Sequence, residues 1–261
     1  MPRLSNTPIW FDEDKKTEAN NDTYQTVKTN KVEGDTNVIE INVGGKDGRS
    51  PYKIMVCTPC HSDVTMHYCQ AVLKFQMECL QRNILVSFTL LKSSLVTQGR
   101  NLSVAEFLNH KDKYTHLLFI DADVVWKPQD IMFLLEHDKE ITIGIYPNKA
   151  YDSNYNLQPS SVIKNHNIVN NLLEVKYAAT GFMLIKKCVF NKIKKNVEQF
   201  YLPRGDEKVN VYNFFDCNVV NGDYLTEDYY FSHLYNQTGG TIYADIRIKL
   251  KHLGTHEYFS R

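Results

Sequence analysis

The sequence has no excess of charge of either sign. Lys plus Arg and Asp plus Glu number 30 each, so the formal net charge is zero. A nucleic-acid-binding protein needs a basic surface, and a balanced charge gives no overall excess of positive charge to form one. In the basic stretch "KKCVFNKIKKN", residues 186–196, Val189, Phe190 and Ile193 recur at helical spacing. We therefore predict an amphipathic helix with a solvated basic face there, and no nucleic-acid partner.

Long apolar runs are also missing. No stretch approaches the roughly 18 to 20 apolar residues that a membrane span needs. The N-terminal "MPRLSNTPIWFDEDKK" lacks the apolar centre of a signal peptide. Six cysteines without an export signal are expected to be reduced thiols. We expect a soluble, cytoplasmic protein without a transmembrane segment.

The polar character of residues 1–50 separates them from the rest of the chain. Within them only "VIEINV", residues 38–43, alternates as a strand does. We predict an N-terminal extension over 1–50 that is partly disordered or adds one edge strand. Residues 51–261 are then a single domain, long enough to enclose a core.

From Tyr52 onward, strand-like and helix-like segments alternate. "YKIMVC", "ILVSFTLL", "THLLFI" and "ITIGIYP" read as strands separated by helices. This order predicts an α/β fold with a mainly parallel sheet flanked by helices on both faces. In the first helix the spacing predicts one apolar stripe of Met66, Cys69, Val72, Leu73, Gln76, Cys79 and Leu80.

The second half is more mixed. "VKYAATGFMLIKK" reads as a strand interrupted by a Thr-Gly pair, and "TIYADIRIKLKH" alternates as one long strand. "TEDYYFSHLYNQTGG" predicts a helix that begins after Thr226 and ends at Gly239 and Gly240. Gly181, in the interrupted strand, permits a close backbone approach to a ligand or simply marks a bulge.

Two carboxylates follow the buried strand "THLLFI". Asp121 and Asp123 lie where that strand ends, and ligands of such sheets bind beyond the carboxyl ends of the strands. Hard divalent cations prefer oxygen ligands and keep phosphates in their shell. The pair therefore predicts a site for a cation and, through it, a diphosphate. The alternative is that Asp121 caps the turn and Asp123 is solvated.

Several segments in order resemble glycosyltransferases with the GT-A fold. "THLLFIDADVVWKP" looks like their D-x-D segment, and "MVCTPCHSD" is similar to their first strand and loop. "GRNLSVAEFL", "ATGFMLIKK", "LTEDYYF" and "KHLG" resemble four further stretches, over about residues 52 to 256. The likeness is to family 2 and related viral or phage-type transferases.

The resemblance implies a fold, an activity and a set of site residues. It implies a metal-dependent, inverting transfer of sugar from a nucleotide donor, a UDP-sugar, to the hydroxyl of a glycan, protein-linked or lipid-linked acceptor. Mn²⁺ or Mg²⁺ is the implied cofactor, with Asp121, Asp123 and His252 at the metal. Asp121 is expected to hold the ribose or a metal-bound water, while Asp123 ligates the metal directly. The implied donor-binding residues are Thr58, Pro59, Arg100, Asn101, Asp121, Ala122, Asp123 and Gly181.

The start of the helix after Thr226 holds the implied catalytic residues. Asp228, with Glu227 as the second candidate, would act as general base toward the acceptor hydroxyl. Acidic residues are also favoured in a first helical turn by the macrodipole, so a capping role stays open. A retaining enzyme would need no such base. We also expect Trp126 to be a sugar-stacking residue, and Lys149 to be solvated rather than bound to phosphate.

Other functions compete with this reading. "CTPCH", residues 57–61, fits haem attachment or a thioredoxin-like C-x-x-C, although neither explains the aspartates. "DADVV" also fits the nucleophile segment of haloacid-dehalogenase-type phosphatases. A non-catalytic sugar-binding module would keep the same fold. A nucleotidyltransferase would be expected to carry a Gly-rich signature near the first strand, which "CTPCHSD" lacks.

Overall fold

The computed structural model describes residues 27–31, 37–43, 50–110, 113–147, 149, 168–204 and 207–254. For 27–31, 37–43, 203–204 and 207 it describes the backbone alone. The helices are α1 (Met66–Gln81), α2 (Val96–Asn109), α3 (Pro128–Glu136), α4 (Lys187–Ile193) and α5 (Glu227–Asn236), with a 3-10 turn at Lys194–Asn196. The strands are β1 (Val27–Lys31), β2 (Asn37–Val43), β3 (Lys53–Cys60), β4 (Leu85–Lys92), β5 (His116–Ile120), β6 (Val124–Val125), β7 (Ile141–Gly144), β8 (Leu172–Val175), β9 (Phe182–Lys186), β10 (Gln199–Arg204), β11 (Glu207–Tyr212), β12 (Asn218–Val220), β13 (Asp223–Leu225), β14 (Ile242–Asp245) and β15 (Lys251–His252).

A nine-stranded sheet in the order β1-β2-β4-β3-β5-β9-β7-β14-β8 forms the centre. Strand β3 is parallel to β4 and β5, and β7 is parallel to β14. Strand β9 is antiparallel to both β5 and β7, so these two also run in the same direction. The predicted α/β fold with a mainly parallel sheet is therefore confirmed.

Strand β5 shows how the sheet divides the core. Leu117 and Phe119 belong to one buried cluster, and Leu118 and Ile120 to the other, because successive side chains point to opposite faces. The first cluster includes side chains of α2, α4 and α5, and the second those of α1 and α3. Each such buried aliphatic or aromatic side chain contributes roughly 1.5 to 3 kcal/mol. Helices cover both faces, as the strand and helix order predicted.

Helix α1 buries a different face from the predicted one. The buried side chains are Tyr68, Ala71, Phe75 and Cys79. In the predicted stripe Cys79 is buried, whereas Met66, Leu73 and Leu80 are 69%, 63% and 41% exposed. The rings of Tyr68 and Phe75 pack edge-on against Trp126. Apolar spacing alone allowed two faces, and the aromatic contacts with the core select between them.

Three other boundaries differ from the sequence predictions. Helix α2 begins at Val96, before the predicted start at Leu102. The predicted long strand over 241–252 is two strands, because the Asp245 side chain accepts a hydrogen bond from the Arg247 backbone N–H at 2.8 Å and turns the chain. The predicted interrupted strand is likewise divided, into the end of β8 and the whole of β9.

Two further sequence predictions concern the basic helix and the N-terminal segment. Val189, Phe190 and Ile193 of α4 are buried, which confirms the amphipathic helix. Strand β2 pairs antiparallel with β4, through Ile41 opposite Phe88. Apart from β1, β2 and Ser50, residues 1–50 lie outside the described residues, and the proposed domain boundary stays a prediction. None of the helices in the described ranges is long and apolar enough to cross a membrane.

Candidate active site

The D-x-D segment forms a turn at the carboxyl end of β5. The Asp121 backbone N–H donates to the Gly181 carbonyl at 2.9 Å, and the Val124 N–H donates to the Asp121 carbonyl at 3.1 Å. The Ala122 carbonyl accepts from the backbone N–H and the hydroxyl of Thr65, at 3.4 and 3.2 Å. The turn is therefore fixed between the start of β9 and the residue that caps α1.

Asp121 is held from inside by a buried arginine. Its Oδ1 lies 3.1 Å from Nη2 of Arg100, and Arg100 Nε lies 3.6 Å from Oε1 of Glu227. The Arg100 side chain is 4% exposed and packs over the Phe119 ring at 5.3 Å. Burial lowers the pKa of Arg100, but Asp121 and then Glu227 offset this and leave it above its usual value. The guanidinium that the resemblance assigned to the diphosphate is instead paired with two carboxylates of the protein.

The two acidic residues that begin α5 differ in their surroundings. Burial and then the neighbouring Asp228 raise the pKa of Glu227, while Arg100 opposes the shift. Oδ1 of Asp228 accepts from the Thr226 hydroxyl and from the Tyr229 backbone N–H. Neither of these bonds uses Oδ2. Glu227 is thus an ion-pair partner of Arg100, and Asp228 keeps one carboxylate oxygen available besides its capping role.

Asp123 faces the solvent side of the turn and has two basic neighbours. Its Oδ2 contacts the Lys149 ammonium at 2.5 Å, and its Oδ1 lies 3.5 Å from Nε2 of His252. The His252 backbone is placed by the pairing of β15 with β6, which sets His252 opposite Val124. The Leu253 N–H also donates to the Asp123 carbonyl at 2.8 Å. The late histidine predicted from "KHLG" therefore lies beside the D-x-D turn.

The hydrogen bond of His252 fixes the orientation of its ring and the tautomer of its neutral form. Nδ1 lies 3.0 Å from the Pro147 carbonyl oxygen. A carbonyl only accepts, so Nδ1 carries the proton, and in the neutral imidazole Nε2 keeps its lone pair. Nε2 and Asp123 Oδ1 lie 3.5 Å apart, which is longer than an ordinary hydrogen bond. An imidazole nitrogen oriented in this way is suited to ligate a cation shared with the carboxylate.

The donor set fits a hard cation that is incompletely enclosed by protein. Within the described ranges no three His, Cys, Asp or Glu side chains are grouped closely enough to hold a metal alone. Asp123 and His252 would supply two ligands. Mg²⁺ typically retains several waters and phosphate oxygens around one or two protein ligands. Asp121, which we predicted at the metal, is instead directed to Arg100.

Gly181 is required by close packing under the turn. A Cβ at this position would lie 2.3 Å from the Tyr146 hydroxyl oxygen and 2.7 Å from Asp121 Oδ2. The Gly181 N–H donates to that hydroxyl at 3.0 Å. Burial, and then the nearby Asp121, raise the pKa of Tyr146 well above its usual value, so the phenol stays protonated. The close approach predicted for Gly181 is thus made by Tyr146 and Asp121 of the protein itself.

A cleft of about 470 Å³ opens above the turn, within the usual size range of small-molecule sites. It lies at the carboxyl ends of β3, β4 and β5, the edge that the strand order predicted. Five of the predicted donor-binding residues line it: Pro59, Arg100, Asp121, Ala122 and Asp123. Its other lining residues are Cys60, His61, Ser62, Asp63, Thr65, Ser93, Ser94, Val96 and His252.

Three residues that we predicted to contact a ligand have side chains buried in the protein. Thr58 is fully buried, and its hydroxyl bonds to the Tyr68 hydroxyl. Asn101 is 2% exposed; its amide donates to the Phe215 carbonyl and accepts from the Phe215 N–H, both at 2.9 Å. Trp126, expected to stack on sugar, is 4% exposed and packs against Phe182. Each of these polar or aromatic groups stabilises the scaffold instead.

The cysteines of "CTPCH" do not form a redox site. Strand β3 runs through both Cys57 and Cys60, so the segment is extended rather than a strand-to-helix junction. Burial raises the pKa of the Cys57 thiol far above its usual value. Because the thiolate is the reactive form, this environment suppresses the chemistry that a C-x-x-C dithiol needs.

Two site residues were missed or undervalued from sequence. Tyr146 and Lys149 follow β7 in "GIYPNK", and both reach the D-x-D turn. A signal was present, because they lie at the same carboxyl edge of the sheet as Asp121. Lys149 is 42% exposed, in agreement with the solvated lysine that we expected, and it also pairs with Asp123.

Comparisons with known proteins give only distant structural neighbours. No family model matches the chain, and none of the curated proteins is similar enough to count as a match. The crystal structure of A197 from STIV is 20% identical with a TM-score of 0.47, covering 78% of this chain and 86% of that one. GalNAc-T7, crystallised with UDP, GalNAc and Mn²⁺, is 12% identical with a TM-score of 0.46, covering 78% of this chain and 44% of that one.

The catalytic domain of Drosophila beta1,4galactosyltransferase 7, crystallised with xylobiose, is a third neighbour. It is 12% identical with a TM-score of 0.44, covering 78% of this chain and 71% of that one. The chain spans less than half of GalNAc-T7. At these identities and TM-scores the neighbours carry no conclusion about activity, which depends on the side chains of the site.

Proposed function

We propose that the protein is a metal-dependent glycosyltransferase that moves a sugar from a nucleoside-diphosphate donor to an acceptor hydroxyl. The observation that carries the proposal is that Nε2 of His252 lies 3.5 Å from Asp123 Oδ1 while its Nδ1 faces the Pro147 carbonyl. The donor is a UDP-sugar and the transfer is inverting, by the resemblance of the sequence to GT-A enzymes. Mn²⁺ or Mg²⁺ is the expected cation.

Asp123 and His252 would hold the cation at the open side of the turn. A bound divalent cation supplies Lewis-acid neutralisation of the charge that develops on a departing nucleoside diphosphate. Asp121 contributes by position, because its pairing with Arg100 fixes the backbone that carries Asp123. The rest of the cleft, from Pro59 to Asp63 with Ser93 and Ser94, offers hydroxyl and carboxylate groups for a ribose and a base.

Asp228 is the general base of this proposal. Its Oδ1 is occupied by the Thr226 hydroxyl and the Tyr229 N–H, which orient the carboxylate and leave Oδ2 to accept a proton. Glu227, the second candidate, faces Arg100 and serves as its counter-charge. A carboxylate in reach of the acceptor hydroxyl contributes typically 10²- to 10⁴-fold in rate.

The test is metal-dependent release of nucleoside diphosphate. Purified protein is incubated with a panel of UDP- and GDP-sugars, in Mn²⁺ or in EDTA, and the released diphosphate is quantified. We expect release from one donor in Mn²⁺ and none in EDTA. Asp123→Asn should lower the rate about 100-fold or more, since several kcal/mol of charge stabilisation is lost. Glu174→Gln, a matched loss of an exposed carboxylate on β8, should leave the rate unchanged.

Two other outcomes identify the competing functions. Hydrolysis of a simple phosphate ester, with no donor turnover, would replace the transferase by the haloacid-dehalogenase-type phosphatase. Sugar or nucleotide binding by calorimetry, without turnover of either substrate class, would replace it by the binding module. The Arg100 contact at Asp121 disfavours the phosphatase, since an ion-paired carboxylate is a weaker nucleophile.

A further inference from the structure

Among the described residues, Lys149 places its ammonium in direct contact with Asp123, the proposed metal ligand. Its ammonium lies 2.5 Å from Asp123 Oδ2, and the two side chains are 42% and 37% exposed. An exposed ion pair of this kind is weak, because water screens it. A contact that is weak and open to solvent is easily exchanged for another cation.

The segment that carries Lys149 is tied to the site at three points. The Tyr146 hydroxyl accepts from the Gly181 N–H, the Pro147 carbonyl accepts from His252 Nδ1, and Lys149 contacts Asp123. The Lys149 stem also passes the backbone of Gly254, where an added Cβ would lie 3.5 Å from its Cδ. Lys149 is therefore delivered to the site by the same contacts that orient the His252 ring.

Arg100 pairs with Asp121 rather than with Asp123. Its guanidinium is buried and paired with Asp121 and Glu227. Lys149 donates one proton to Asp123, and an ammonium has three. If a divalent cation occupied the position beside Asp123, its charge would repel the ammonium at contact distance. The diphosphate of a donor held at that cation would offer oxygens to the freed donors.

We propose that Lys149 and the divalent cation share Asp123: the ammonium neutralises the carboxylate before the cation binds, and afterwards contacts the donor diphosphate. This inference rests on the proposed function and adds a positioning and donor-binding residue to it. It makes cation binding and diphosphate binding cooperative, because the group that is displaced by the first ligand contacts the second.

The first experiment measures Mn²⁺ binding to the full chain without nucleotide, from the electron paramagnetic resonance signal of free Mn²⁺. Lys149→Met should bind Mn²⁺ about two- to five-fold more tightly, the range expected for loss of an exposed ion pair. Lys149→Arg keeps a cation and should bind as the wild type does. Lys251→Met removes an exposed lysine next to His252 that does not pair with Asp123, and controls for general loss of positive charge.

The second experiment measures UDP and GDP binding by calorimetry at saturating Mn²⁺. For the nucleotide that binds, Lys149→Met should lower the affinity about ten-fold, which is the usual contribution of one charge-assisted hydrogen bond. Lys251→Met should not. Opposite changes for Mn²⁺ and nucleotide, confined to Lys149→Met, support the proposal.

Failure of this inference can be told apart from failure of the proposed function. If Asp123→Asn abolishes Mn²⁺ binding while Lys149→Met leaves it unchanged, the cation site stands and the role of Lys149 is overturned. Equal effects of Lys149→Met and Lys251→Met also overturn it, in favour of a general electrostatic effect. If Mn²⁺ binding does not depend on Asp123, both the metal site and the role of Lys149 are overturned.

Discussion

Asp121 and Asp123 are separated by one residue, yet they lie in different environments. Asp121 faces inward to Arg100, whose side chain is 4% exposed and also contacts Glu227. Asp123 faces outward to Lys149 and His252 and is 37% exposed. The Asp121 side chain is 27% exposed and pairs with a buried guanidinium, whereas Asp123 pairs with an exposed ammonium. Asp121 therefore stabilises the scaffold, and Asp123 is the carboxylate that we propose for cation binding.

The largest expected effect comes from removing the inner cation. Arg100→Met leaves the partly buried Asp121 and Glu227 without their counter-charge, and should lower the free energy of unfolding by about 3 to 5 kcal/mol. Urea unfolding of the purified variant measures this loss. Lys149→Met is the matched change on the outer side, and an exposed pair is expected to contribute less than about 1 kcal/mol. Similar losses of unfolding free energy in Arg100→Met and Lys149→Met would show that the inner and outer ion pairs do not differ.

The next effect tests the packing that keeps Asp121 in place. Gly181→Ala puts a methyl group against the Tyr146 hydroxyl and Asp121 Oδ2, and should cost about 1 to 3 kcal/mol in unfolding free energy. Tyr146→Phe removes the closest clashing atom. The double variant should therefore be more stable than the sum of the single losses predicts, by more than about 0.5 kcal/mol. If the two single losses of unfolding free energy simply add in the double variant, the Tyr146 hydroxyl is not the group that clashes with the added methyl.

The smallest effect extends the comparison to a buried group at the other end of β5. Burial, and then Lys186, lower the pKa of His116 to about 4, so the folded state holds it neutral. An unfolded histidine has a pKa of about 6.5, so on acidification the unfolded state binds the proton first. The stability contributed by His116 is complete above pH 6.5 and is lost as pH falls toward 4.

Between pH 7 and pH 5.5 this linkage should cost about 1 kcal/mol of unfolding free energy. His116→Asn keeps a polar group near the Thr115 hydroxyl but should not show this loss of unfolding free energy between the two pH values. Urea titrations of both proteins at the two pH values give the difference. A wild type and variant that weaken equally would show that His116 is protonated in the fold.

Much of the site follows from local patterns. The apolar run of β5, the aspartates at its end and the histidine of "KHLG" are all where the sequence placed them. These predictions succeeded because a buried strand has a strong signature and its carboxyl end must emerge at a fixed edge of the sheet. The helix after Thr226 was found for a similar reason, since its first turn is acidic and its far end has glycines.

The failures have a common cause. Thr58, Asn101 and Trp126 were given ligand contacts, and each side chain is buried against another element, with Asn101 and Trp126 contacting residues far away in sequence. Asn101 bonds to the backbone of Phe215, 114 residues along the chain. No local pattern records such a partner. The same limit applies to Arg100, whose residue type suits a phosphate and two internal carboxylates equally well.

The sequence by itself determined the alternation of strands and helices, the carboxylates at the end of β5, and the charge balance of the chain. These depend on residue periodicity and composition, which act over a few neighbouring positions. Only the tertiary structure decided which face of α1 is buried, that Asp121 turns inward, and that Lys149 reaches Asp123. Those outcomes depend on desolvation and on contacts between distant segments, because the energy of a charged group is set by what surrounds it.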